Sequence, residues 1–171
     1  MSEGVEWALH CCVDLSRMRP SQPVTAGRLA ELYDLPIAYL NKQLQALGKA
    51  GIVRSAPGPR GGFRLARPQE EISLLDVVIA IEGAQPAFRC TDIVRSGAAG
   101  RFAADCGHRS ACAVAQAMRA ADLVWRKHLA ARTVADLREI AELRSPRLGE
   151  VIRDWLGGAE IPEQRDRSGR G

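Results

Sequence analysis

TAGRLAELYDLPIAYLNKQLQALGKAGIVRS, residues 25 to 55, is the stretch that decides the fold. Thr25 stands as a cap ahead of AGRLAELYD, a short helix whose Leu29 and Leu32 lie three apart. Pro36 can serve as the first residue of a second helix, with Ile37, Leu40, Leu44 and Leu47 on one face and Gly51 just past the end. Upstream, residues 5 to 18 put Val5, Leu9, Cys12 and Val13 at helical spacing in a helix that must end before Pro20. Three short helices with a tight turn between the last two predict a helix-turn-helix. Downstream, IVRS (52 to 55) and FRLA (63 to 66) are strand-like runs joined by PGPRGG, which predicts a two-stranded hairpin. The combination is a winged helix, in which the second helix of the pair enters the major groove and the wing touches the backbone or minor groove.

Beyond the wing, Ser73 begins a helix, LLDVVIAIEG, that Gly83 ends. From Gln85 to about Ser110 the chain is rich in Gly, Ala and polar residues and carries three cysteines, a loop too long for an idle connector. AVAQAMRAADLVWRKHLAA (113 to 131) then reads as one long helix with an apolar seam, and Thr133 caps VADLREIAEL. The expected organisation is a winged helix-turn-helix domain over 1–83, a cysteine-bearing loop over 84–112, a dimerisation helix with C-terminal helices over 113–156, and a disordered tail over 157–171. The fold class is mainly α, with a small β-hairpin wing. The remaining chain is too short to cover the seam of the long helix, so pairing with a second copy is expected, as suits a reader of palindromic DNA; the alternative is a monomer in which the helix packs back on the winged domain.

The 171 residues are 46% hydrophobic and 26% charged, the composition of a globular protein. No apolar run is long enough to span a bilayer, and acids stand where a secretory signal would carry basic residues, so a cytoplasmic chain without membrane partners is expected. The net charge of +4 is mild, but from Leu35 to Gln69 there are six basic residues and no acid. One segment therefore carries the positive field that a polyanion would meet.

On the expected recognition helix, Tyr39, Asn41, Lys42, Gln45 and Lys49 lie off the apolar stripe. Asn and Gln can pair bidentately with adenine, and Lys supplies phosphate or guanine contacts. Thr25 and Arg28, at the start of the preceding helix, are placed to reach phosphates. Arg60 is the arginine of the wing turn. Each residue alone could be a solvated surface group; an acid-free stretch with a Gly-rich wing favours double-stranded DNA.

Five cysteines in a reducing compartment point away from structural disulfides and toward buried packing, metal or redox roles. Cys90, Cys106 and Cys112 are separated by fifteen and five residues, too loose for a zinc finger and better suited to an iron-sulfur cluster, or else free thiols. In EWALHCC (6 to 12), Glu6 and His10 are one helical turn apart, the spacing of a surface ion pair and also the spacing at which two side chains can hold one metal. Cys11 lies about 100° round the helix from His10, Cys12 falls with Leu9 and Val5 on the buried side, and both read as packing residues. Glu6, His10, Cys106 and Cys112 would make four ligands.

VEWALHC, the helix-turn-helix segment, the wing turn PGPRGGFRLARP, the helix ISLLDVVIAIEG and the cysteine loop ahead of a long helix together resemble the Rrf2 family of winged-helix regulators, in the IscR and NsrR group and nearest its RsrR-type branch. The likeness spans about residues 1 to 155. It implies a homodimeric regulator, repressor or activator, whose affinity for operator DNA is set by an iron-sulfur cluster. Cys90 and Cys106 are farther apart than the family's tightly spaced ligands, whereas Glu6 and His10 are both present. The implied set is thus Glu6, His10, Cys106 and Cys112 around a [2Fe-2S] cluster, favoured over a [4Fe-4S] cluster with Cys90 that senses nitric oxide. Pro57 stands where many members carry a basic residue before the wing's Gly-Pro. A cluster-free regulator sensing oxidants through thiols is the other alternative. The chain has no Gly-rich cofactor loop after a strand, no nucleophile elbow and no HExxH, so neither an enzyme nor a small-molecule substrate is expected.

Overall fold

The computed structural model describes residues 2–58, 61–89, 97, 100 and 112–159. Helix α1 (Glu3–Ser16) starts two residues earlier than the spacing predicts, and Glu3 and Glu6 in its first turn suit the positive end of the helix dipole. Val5, Ala8, Cys12 and Leu15 repeat at intervals of three and four and are buried, which fixes the inward face.

Helix α2 (Ala26–Leu32) begins where Thr25 Oγ1 accepts a hydrogen bond from Arg28 N at 3.2 Å. Its end is turned by Asp34 in the left-handed region, φ 51°, with Leu35 N donating to the Ala30 carbonyl at 2.9 Å. Pro36 sits just before α3 (Ile37–Lys49) rather than inside it. Leu40, Leu44 and Leu47 are fully buried along one side of α3. Gly51, φ 67°, lets the chain leave α3 into the wing, and Ile52 N bonds back to the Leu47 carbonyl at 3.0 Å.

The wing is an antiparallel pair, β1 (Val53–Ala56) and β2 (Gly62–Leu65), each one residue displaced from the expected run, with Arg54 opposite Arg64. Val24 bridges to Phe63 on the far side of β2, in both directions at 2.9 and 2.7 Å. That approach explains Gly62, where a Cβ would lie 2.4 Å from the Val24 carbonyl oxygen.

Helix α4 (Leu74–Glu82) opens on a reciprocal capping box between Ser73 and Asp76. After the long helix α5 (Ala113–Ala130) the chain returns to the core: Leu74 N bonds Arg132 O and Val134 N bonds Ile72 O, both at 2.9 Å. A second capping box, Thr133 with Asp136, starts α6 (Val134–Arg144), and Pro146 opens α7 (Pro146–Leu156). The core lies between α1, α3, α4, the wing and α6, and Leu156 of α7 joins it. The fold is the mainly α winged helix expected, with a two-stranded wing and a long helix beyond it. No described helix is long and apolar enough to cross a membrane.

Candidate cluster-ligand helix and nucleic-acid interface

Helix α1 has two chemically opposite faces. Cys11 and Cys12 are wholly buried. Burial pushes the Cys12 thiol up to about 12, and pushes that of Cys11 up further, with Cys12 and Asp14 adding to the effect. Both side chains pack wholly inside the hydrophobic core, so these two are packing residues.

Glu6 and His10 lie on the exposed face one turn apart. Neither makes a hydrogen bond or an ion pair among the described residues. They border a recess of about 270 Å³ whose remaining walls, Leu9, Val13, Leu137 and Ala141, are apolar. A carboxylate and an imidazole without hydrogen-bond partners among the described residues, beside an apolar wall, could supply half of a mixed cluster ligand set. Of the thiolate half, Cys112 is half-buried immediately before α5, while Cys90 and Cys106 lie outside the described residues. Among the described residues no three His, Cys, Asp or Glu side chains come together to hold an ion, so Glu6 and His10 do not meet Cys112 within one chain.

Behind this face runs a polar chain that inspection of the sequence alone misses. The His10 ring lies 5.5 Å from that of Tyr33, and Trp7 lies 5.4 Å from Tyr33 and 6.3 Å from His10. Tyr33, at the end of α2, donates its hydroxyl proton to Asp14. Asp14 is buried, which raises its pKa, while the Tyr33 hydrogen bond and the Arg17 charge pull the other way. Arg17 pairs with Asp14 at 3.6 Å and with Glu142 of α6 at 3.0 Å. His10 of the exposed pair on α1 thus touches Tyr33 at the turn of the helix-turn-helix directly.

On α3, Lys42, Gln45 and Lys49 are exposed on the side away from Leu40, Leu44 and Leu47, with Tyr39 and Asn41 half-buried beside them. Gln43 instead turns inward beneath Gly4, where a Cβ would come within 3.1 Å of its amide. Thr25 spends its oxygen on the α2 cap. Arg28 is engaged elsewhere: Nε and Nη2 donate to the Trp155 carbonyl at 2.8 and 2.5 Å, Nη2 reaches the Ala159 carbonyl at 3.3 Å, and the guanidinium lies 4.7 Å from the Trp155 ring centroid. This ties α7 to the first helix of the pair, a contact across 127 residues with no local signal. Arg60 lies outside the described residues.

A two-stranded wing behind a helix whose polar side is open defines the winged-helix class of nucleic-acid-binding proteins. The chain belongs to the Rrf2 family, described as an iron-dependent transcriptional regulator, which it matches over residues 1–140. Members of this family are DNA-binding transcriptional regulators and not enzymes. YwgB of Bacillus subtilis is 31% identical over 96 residues, 56% of this chain and 62% of YwgB, so the chain spans less than two thirds of that relative. The transcriptional regulator IscR of Vibrio atlanticus is 27% identical over 148 residues, covering 86% of this chain and 72% of IscR. Two solved structures share the fold. CymR, the global cysteine regulator of B. subtilis, has a TM-score of 0.65 at 18% identity, covering 82% of this chain and 96% of CymR. T. potens IscR has a TM-score of 0.64 at 22% identity, covering 84% and 89%.

Proposed function

We propose that the chain is a cytoplasmic, homodimeric transcriptional regulator that binds operator DNA under the control of a [2Fe-2S] cluster. Glu6 and His10 of one subunit, with Cys106 and Cys112 of the other, hold the cluster. The observation that carries this reading is the unengaged Glu6 and His10 pair on the apolar recess, on the same helix that buries both of its own thiols. Imidazole in place of thiolate raises a cluster's potential and brings one-electron reduction within reach. His10 links that site to the reading head through its contact with the Tyr33 ring at the helix-turn-helix turn. On the DNA side, Lys42, Gln45, Lys49, Tyr39 and Asn41 face the major groove, Thr25 lies near phosphate, and Arg60 belongs to the wing contact. Arg28 reaches phosphate only when it leaves the Trp155 carbonyl.

The test is anaerobic purification followed by iron analysis and visible absorption, with about two irons per chain expected for a [2Fe-2S] site. Glu6→Ala, His10→Ala and Cys112→Ala should each lose or weaken the colour while circular dichroism stays unchanged, and Cys11→Ala should keep it. About four irons per chain with loss on Cys90→Ala would instead mean a cubane site, and colourless protein a thiol sensor.

A further inference from the structure

A recess stands apart from Glu6 and His10. It lies between the end of α1, the base of the wing and the turn before α4, has a volume of about 430 Å³, and is walled by Leu15, Met18, Pro20, Leu65, Ala66 and Pro68. Four arginines, Arg19, Arg54, Arg64 and Arg67, converge on this apolar floor. Arg67 is partly answered by Asp76 at 3.0 Å, and Glu70 at the edge is bonded by Gln69. Arg19, Arg54 and Arg64 have no carboxylate partner among the described residues; Arg64 donates only to the Pro20 carbonyl, at 2.7 Å.

Two features make this more than a basic surface. Arg54 and Arg64 are direct cross-strand partners, and like charges placed opposite each other destabilise a ladder unless something neutralises them. Moreover, the buried polar atoms left without a partner in this region, Nε of Arg64, Nε of Arg67 and Oε1 of Gln69, belong to residues that line the same recess. An apolar cavity of ligand size with a few convergent polar groups is the usual build of a small-molecule site.

We propose that this recess is a ligand site for a small organic anion, whose carboxylate or phosphate head is held by Arg19, Arg54 and Arg64 and whose apolar body lies on Leu15, Met18 and Leu65. A DNA phosphate offers the same anion, but on a duplex it is flanked by sugar and further phosphates, and it brings no free apolar body of its own to lie on Leu15, Met18 and Leu65. Occupancy bridges α1 to both wing strands, so the ligand would stiffen the wing against the body. The site stands independently of the cluster reading.

Phenyl phosphate and inorganic phosphate, titrated calorimetrically into the full-length protein at about 0.15 M salt, test it. Phenyl phosphate should bind saturably and at least about tenfold more tightly than inorganic phosphate, since the ring adds apolar burial. Arg19→Gln combined with Arg54→Gln, both exposed positions, should weaken phenyl phosphate at least about tenfold with no change in circular dichroism or Tm. Equal weak binding of the two anions, or binding that survives the double substitution, overturns the proposal. So does a double variant that loses affinity for mixed-sequence duplex DNA when the unsubstituted protein takes no phenyl phosphate, because the arginines would then be backbone contacts.

Discussion

Helices α1 and α5 are both amphipathic, yet the molecule treats them in opposite ways. Of the fourteen residues of α1, eight are buried, and the helix touches α3, α4, α6 and β2. Helix α5 is longer, eighteen residues, and buries only Ala115; Val114, Leu123 and Val124 are 62%, 55% and 68% exposed. A helix with that much apolar surface in water is not held by propensity alone. The difference separates a helix whose apolar side the described residues cover from one whose apolar side they leave open, and on the reading proposed above the first carries the ligand face and the second the dimer face.

The sharpest way to break this comparison is to truncate one apolar residue on each side of it. Leu44→Ala, in the core that α1 covers, should cost about 2–5 kcal/mol of unfolding free energy, whereas Leu123→Ala should cost at most about 0.5 kcal/mol in protein diluted to monomer. Urea denaturation followed by circular dichroism reads both. Val124→Glu should convert the dimer to a folded monomer in sedimentation velocity, because a carboxylate in a desolvated helix pair is left unpaired. A dimer that survives this change would place the interface elsewhere.

Smaller effects sharpen the picture around α1. Arg28→Ala should cost about 1–3 kcal/mol by removing the charged hydrogen bonds that hold α7, with faster amide exchange confined to residues 146–156. In native apoprotein, iodoacetamide should label Cys112 and leave Cys11 and Cys12 untouched until the chain unfolds, read by mass spectrometry. Equal labelling would mean that the inward face of α1 opens readily.

What could be read from the chain alone was what is local. The caps at Thr25, Ser73 and Thr133 act on backbone three residues away, and the apolar stripe of α3 needs only its own period, so these elements stand where the residues imply. The wing strands stand one residue off the apolar runs because their bounds follow the mutual register, Val53 opposite Leu65 and Ala56 opposite Gly62, rather than the apolar residues of each run. The segment around Arg28 gives no sign of its bond to the Trp155 carbonyl, which lies 127 residues away. Tyr33 and Asp14 escaped for a similar reason: their bond joins two helices, and neither residue type is unusual in its own segment. Glu6 and His10 were visible as a pair from their spacing, but only packing shows that their surroundings leave both unengaged.

The most direct test of the central claim is iron content and visible absorption of the anaerobically purified protein beside its His10→Ala variant. The account predicts a coloured protein with about two irons per chain and a variant that loses or shifts that absorption while staying folded. Full, unshifted colour in the variant would contradict it.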